Sequence, residues 1–359
     1  MGVLNFSQLL ITKAFWGKLI DIFVDWVGNY GWAIILLTIA LKLVLTPVEV
    51  LQKNVNKKNA RMQAIMQPEL QKVQQKYPGD RAKLNQKQME LSKKYNFNMT
   101  GTCVTLLVSM IITLTIFTSL FIGLNALSKK QENVAFNEIY QTYIEADAYT
   151  KDEANKEMFF NADNTINQEA VDKYLSDAVN KKYKEQSKKY SFMWVENVWK
   201  GDNRTSPVVD YSSFKKYAIS HGIVENSDEA LAIFKQNYNN IKDIIHVENE
   251  HNGCYLLIIL AGVITFLVQF LQTKLQEKKT GVKNPSTKIM LIIMPIFMII
   301  FASTSSALFT LYIIANSIIS AIISTVIDLC QPKPKDDDKV LYKKGNTEVV
   351  EYSRNYNKG

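Results

Sequence analysis

The chain has 359 residues, 47% of them hydrophobic and 21% charged, with a net charge of +8 and a mean hydropathy of −0.08. That average conceals segregation, because the apolar residues gather into runs of roughly 15 to 25, the length that a bilayer core of ~30 Å demands. A soluble domain, which mixes both classes at helix or strand period, is excluded. So is a nucleic-acid reader, since the lysines sit in short loops beside the apolar runs, as they do in multi-spanning membrane proteins.

The opening "MGVLNFSQLLITKAFWGKLI" has neither an early positive charge nor a small-residue cleavage site, and Gly2 with Ser7 does not fit myristoylation spacing. A removable leader is not expected. Residues 1–31 are read as an extracytoplasmic segment. Within it, Phe15, Leu19, Ile22, Phe23 and Trp26 recur at helical spacing, with Lys18, Asp21 and Asp25 between them. Such a helix over 9–27 either lies flat on a membrane or packs on the protein, and the pattern leaves both open.

The first span is placed at 32–50. It contains Lys42, five residues before Pro47, in an otherwise apolar stretch. An ammonium at a helix centre costs about 2.5–3.5 kcal/mol on insertion scales. Two readings follow: the stem snorkels toward the headgroups, or the charge serves a polar cavity. Residues 51–97 read as a cytoplasmic helical hairpin split at "YPGD", residues 77–80. Met62, Ile65, Met66, Leu70 and Val73 form its narrow apolar stripe, and it holds eleven Lys or Arg against three Asp or Glu.

The second span is placed at 98–127, and an extracytoplasmic insert at 128–252 follows. Inside the insert "NQEAVDKYLSDAVNKKYKEQSKKY" reads as a helix, and "SFMWVENVW" is aromatic enough for a membrane interface. The remaining spans are placed at 253–272, 289–302 and 307–329. The loop at 273–288 and the tail at 330–359 are assigned to the cytoplasm, the tail as a disordered segment. Alternation over five spans puts both lysine-rich loops on one side, with the N-terminus outside and the C-terminus in the cytoplasm. The fold class expected is thus an all-α polytopic membrane protein.

Enzyme signatures fail. His221, His246 and His251 have no HExxH spacing, and no glycine-rich phosphate loop or GxSxG is present. Cys103, Cys254 and Cys330, at the edges of three different spans, fit neither a zinc motif nor a disulfide framework. No catalytic site, metal or cofactor is expected. Polar residues inside the spans remain: Thr102, Thr105, Ser109, Thr113, Thr115 and Thr118 in the second, Gln269 and Gln272 in the third, Asn316 in the fifth. They either bond back to their own helices and glue neighbours together, or line one wet cavity.

The stretch from "GNYGWAIILLTIALKLVLTPVEV" through "MQPELQKVQQKYPGD" resembles the first core span and coiled hairpin of the YidC/Oxa-type membrane protein insertases. "STKIMLIIMPIFMIIFASTSSALFTLYIIANSI" resembles the last two spans of that family, with its Met294–Pro295 and Leu311–Tyr312 pairs, and "FMWVENVW" its aromatic stretch before the third. The chain is similar to a Gram-positive-type bacterial member, although it lacks a lipobox cysteine near the N-terminus. The family's "NPLxGCxPxLxQxP" opening of span two appears as "NMTGTCVTLLVSMIITL". This keeps Gly101 and Cys103, loses the prolines and places Ser109 where Gln is usual.

The resemblance implies five transmembrane helices around a hydrophilic groove open to cytoplasm and lipid. Its basic residue falls on Lys42, where Arg is commoner, and Thr105, Ser109, Thr113, Gln269, Tyr312 and Asn316 are assigned to the groove with it. It further implies nascent membrane proteins as substrates, received at the cytoplasmic face of the bacterial plasma membrane. Ribosome or targeting machinery would dock at that face, and the protein would act alone or beside the Sec translocon. A Sec- or ribosome-associated scaffold or assembly chaperone without insertion of its own stays open. A small-solute transporter also stays open, although one intramembrane charge and no repeat argue against it.

Overall fold

Lipid offers backbone amides no partner, so an apolar chain of this kind closes its hydrogen bonds within helices. The computed structural model describes residues 13–94, 99–203, 208–246, 252–280, 285–330, 340–344 and 347–351. Its helices are α1 (Lys13–Val27), α2 (Tyr30–Lys76), α3 (Arg81–Lys94), α4 (Met99–Lys151), α5 (Lys156–Phe159) and α6 (Gln168–Tyr190). They continue with α7 (Tyr211–Ser220), α8 (Asp228–Ile244), α9 (Leu256–Thr280), α10 (Pro285–Thr304) and α11 (Ala307–Cys330). Among the described residues the architecture is all-α apart from one antiparallel hairpin, β1 (Val340–Lys344) with β2 (Thr347–Glu351). Over 340–344 and 347–351 the tail expected to be disordered is paired as strands, and its prolines lie outside the described residues. Its strands carry Val, Tyr and Thr and stand two residues apart, a local pairing signal that outweighed composition.

Among the described residues four helices are long and apolar enough to cross a bilayer: Tyr30–Val55, Leu107–Lys151, Leu256–Leu275 and Ala307–Cys330. The fourth span expected from the sequence is the shorter apolar helix Ile289–Thr304. Two helices overrun the boundaries drawn from hydropathy. Helix α2 runs 47 residues and joins the first span to the first arm of the hairpin without a break. Helix α4 runs 53 residues, about 80 Å, and carries the second span on into the insert. No glycine or proline falls between residues 124 and 151 to stop it.

The chain divides into two units, the first made of Met1–Leu37, Ser119–Gly262 and Met298–Ile313, the second of Thr38–Thr118, Val263–Phe297 and Ile314–Gly359. In the first unit α1 packs on the protein. Trp16 and Ile20 are fully buried, and the indole N–H of Trp16 donates to Ser119 Oγ at 2.9 Å. Gly123 makes the approach possible, since a Cβ there would lie 2.3 Å from Trp16 Cδ1. The opposite side of α1 leaves Ile22 and Trp26 exposed.

Within the first unit the segment read as an insert packs as helices. Its core joins Phe136, Ile139, Tyr140 and Tyr143 of α4 to residues of α6, α7 and α8. Rings set the packing: Phe136 meets Phe214 at 4.7 Å, Tyr140 meets Phe234 at 5.0 Å, and Phe214 stacks on Phe234 at 5.1 Å. Each such pair adds about 0.5–1.5 kcal/mol beyond its buried area. The helix expected over 167–190 is α6, capped by the Asn167 side chain.

The aromatic segment after α6 does more than rest at an interface. Met193 and Trp194 are exposed, whereas Val195, Val198 and Trp199 are buried. The segment caps the starts of two apolar helices, whose first N–H groups have no partner in their own turn. The carbonyls of Lys200 and Val198 accept from the amides of Ala307 and Leu308 at 2.7 and 2.8 Å, at the start of α11. Asp202, fully buried, accepts from the amides of Leu257 and Ile258 at 3.0 and 3.4 Å, at the start of α9. Asn252 fastens the same segment, accepting from Asn197 N at 2.8 Å and donating to Asn197 O at 2.7 Å.

Burial pushes the Asp202 carboxyl above the ordinary aspartate range, and the two amides oppose that rise. A carboxyl raised on folding binds its proton more tightly in the native state, so its contribution to stability falls as pH rises through the raised value. Replacing Asp202 by Asn should keep an acceptor for the amides and flatten this acid-side dependence. Asp202→Ala strands two buried donors and should cost about 1–3 kcal/mol. Thermal unfolding of the purified variants from acid to neutral pH checks both.

Candidate functional site

The second unit contains the charged residue that the sequence set apart. Lys42 lies on α2 with its side chain only 15% exposed, and its ammonium is 3.1 Å from Glu49 Oε1. The two are seven residues apart, two helical turns and about 10 Å of rise, so both side chains reach along the helix to meet. Between them Pro47 removes one amide from the ladder. The Thr46 hydroxyl donates to the Lys42 carbonyl at 2.8 Å. The expectation of a lone ammonium is therefore corrected: a carboxylate on the same helix compensates it.

Further down the helix, Lys53 pairs with Asp328 of α11 at 3.0 Å and also donates to the Ser324 carbonyl. Lys42, Glu49 and Lys53 stand at positions i, i+7 and i+11. At about 100° per residue they fall within roughly 40° of one another on the helix. Ser317, Ser324 and Asp328 repeat the same spacing on α11. Ser317 also meets Thr265 of α9, hydroxyl to hydroxyl, at 3.4 Å. The polar atoms thus run in stripes along otherwise apolar helices, whose Leu43, Val44, Leu267 and Leu271 are exposed. Exposed faces this apolar belong against lipid.

The other expected site residues are placed as follows. Ser109 is buried, whereas Thr113 is exposed. Gln269 and Asn316 are half-buried. Thr105 lies within α4, but its side chain is outside the described residues. Tyr312 is buried beside Phe309, 5.6 Å between rings, and falls in the first unit while the other six fall in the second. For Thr118 the self-bonding reading holds, since its hydroxyl donates to the Leu114 carbonyl at 2.7 Å.

The hairpin belongs to the same unit. Its arms are α3 and the end of α2, and the turn between them carries Gly79 at a φ of +89°, a conformation open to glycine. Lys94 bridges back to Glu69 at 2.8 and 3.0 Å, which fixes the arms as antiparallel. Of the stripe expected along it, Leu70 and Val73 are half-buried, and Met62, Ile65 and Met66 lie outside the described side chains.

Sequence reasoning missed Glu49, Lys53, Asp328 and the Thr265–Ser317 contact. The signal was present as a seven-residue spacing of opposite charges, obscured because Glu49 is the penultimate residue of the span placed at 32–50, where a charge attracts no notice.

The model of the 60Kd inner membrane protein family matches residues 22–333. The chain belongs to that family, the YidC/Oxa group that its spans and hairpin resemble. Among curated relatives it is similar to a "Membrane protein insertase YidC" of Nitratidesulfovibrio vulgaris (strain DP4), 42% identical over 92 residues, 26% of this chain and 16% of that protein. It is similar to the protein of the same name in Fusobacterium nucleatum, 36% identical over 107 residues, 30% of this chain and 50% of that one. A third, from Ectopseudomonas mendocina, is 36% identical over 113 residues, 32% of this chain and 18% of that protein. The chain thus spans half or less of the length of these relatives.

The Lys53–Asp328 pair joins two helices through partly buried charges. A double-mutant cycle with Lys53→Ala and Asp328→Ala should therefore show a coupling of about 1 kcal/mol in detergent unfolding. Additive losses would mean that the pair contributes nothing as a pair.

Proposed function

We propose that the protein is a membrane protein insertase of the bacterial cytoplasmic membrane, with Lys42 receiving the hydrophilic tails of nascent membrane proteins. The observation that carries this reading is a largely buried ammonium within the first apolar span, held on a polar stripe with Glu49 and Lys53. Family membership and the name shared by its relatives support it. In this reading the N-terminus and the insert lie outside and the hairpin inside, where its lysines face ribosome or targeting partners. The protein works alone or with the Sec translocon.

The chemistry asked of Lys42 is modest. At 4 Å and an effective dielectric of 20, an ammonium attracts a carboxylate by about 4 kcal/mol, and water reduces that figure. A contact of this size recruits a tail without retaining it. The substrate's apolar span then leaves for lipid with about 0.8 kcal/mol per buried CH2, so no nucleotide is needed.

Reconstitution into liposomes with a single-span, acidic-tailed substrate tests the proposal. Wild type and Lys42→Arg should insert it, and Lys42→Glu should reduce insertion by at least about tenfold, the effect of reversing one contact of this kind. Equal activity of the two variants would defeat the charge role. A wild-type protein that inserts nothing without Sec would favour the scaffold reading.

A further inference from the structure

The ion pair within α2 raises a question that a receptor for acidic tails must answer. Lys42 already has a carboxylate at 3.1 Å, supplied by its own helix. Both side chains are less than a third exposed, so neither charge is fully hydrated as an alternative to the pair. Removing a partner from such a pair leaves an uncompensated, partly buried charge, which is the costly event. Exchanging one carboxylate for another avoids it. We propose that Glu49 is an internal stand-in for the substrate's acidic tail: it neutralises Lys42 between insertion events, yields it when a carboxylate-bearing tail arrives, and so sets how acidic a tail must be to enter.

Three features favour exchange over a permanent clasp. The contact is a single Nζ–Oε1 approach, with none of the two-pronged geometry that an arginine would give. Glu49 is the more exposed partner, 27% against 15%, so its carboxylate is the one that water can take up on release. Pro47 lies between the two residues, at a point where the backbone ladder lacks one bond. Among the described residues Glu49 supplies the one acceptor placed on the Lys42 ammonium; its three N–H groups would admit a second carboxylate, but two carboxylates on one cation repel each other, so tail and Glu49 compete for its charge.

This inference rests on the insertase reading, and its test separates the two. Substrates identical except for zero, one or three carboxylates in the tail are cross-linked through a photoreactive residue placed in that tail, using the full-length protein in liposomes. In wild type the yield should climb steeply from one to three carboxylates. With Glu49→Gln the one-carboxylate tail should rise about fivefold to tenfold, to the level of the three-carboxylate tail, because its competitor is gone. The uncharged tail should not change. Glu49→Asp keeps the charge on a stem one carbon shorter, so it should retain the climb with tail charge while raising the one-carboxylate yield by less than Glu49→Gln, and it serves as the variant to read if Glu49→Gln does not accumulate. The double variant Lys42→Met, Glu49→Gln should lose all dependence on tail charge.

An equal loss for every tail in Glu49→Gln would assign Glu49 a structural role and overturn the stand-in. So would an unchanged dependence on tail charge, or loss of that dependence in Glu49→Asp. If Lys42→Glu alone leaves acidic-tail insertion intact, the insertase reading of Lys42 fails, whatever Glu49 does.

Discussion

A cation in a helix that must sit in lipid needs a compensating charge or water, because its hydration cannot be replaced by hydrocarbon. In this chain the compensation is local. Lys42 finds Glu49 on its own helix, and Lys53 finds Asp328 on another helix of the same unit. The charges therefore need no separate polar lining to be tolerated, and the surrounding positions remain free to be leucine, valine and isoleucine. The long α2 helix, its exposed apolar side and its narrow polar stripe all follow from that arrangement.

The first unit solves a related problem for the backbone. A helix that starts near a membrane boundary presents amides that nothing in its own first turn accepts. Here one short segment, residues 198–202, supplies acceptors to two helix starts at once, through two carbonyls to α11 and one carboxylate to α9. The aromatic residues around it, with Trp199 4.6 Å from Tyr30, hold the segment in place. In the same unit an aromatic core packs helices against the continuation of α4.

Much of this was legible from residue order. The apolar runs, the turn at residues 77–80, the helix over 167–190 and the family resemblance followed from hydropathy, proline and glycine placement, and short motifs. Helix ends were not, because hydropathy marks where lipid ends and helix propensity marks where the helix ends. Between residues 124 and 151 no residue type stops the helix. The caps formed by Lys200, Val198 and Asp202 were also hidden, since they join residues more than 50 positions apart, and two of them act through backbone carbonyls common to every residue. Lys42 was visible because it interrupts an apolar run; Glu49 was overlooked because it closes one. At the tail, Val, Tyr and Thr formed strands where the prolines and charges had suggested none.

The uninterrupted course of α2 has a mechanical consequence. From Lys42 to Lys76 the helix extends about 50 Å, with the hairpin's first arm as its far end. A rod of that length acts as a lever, and its backbone ladder lacks a bond at two points, Pro47 between the two charges and Pro68 in the hairpin arm. Because Lys42 and Glu49 straddle the first of these points, any bending there alters the gap between the two charges.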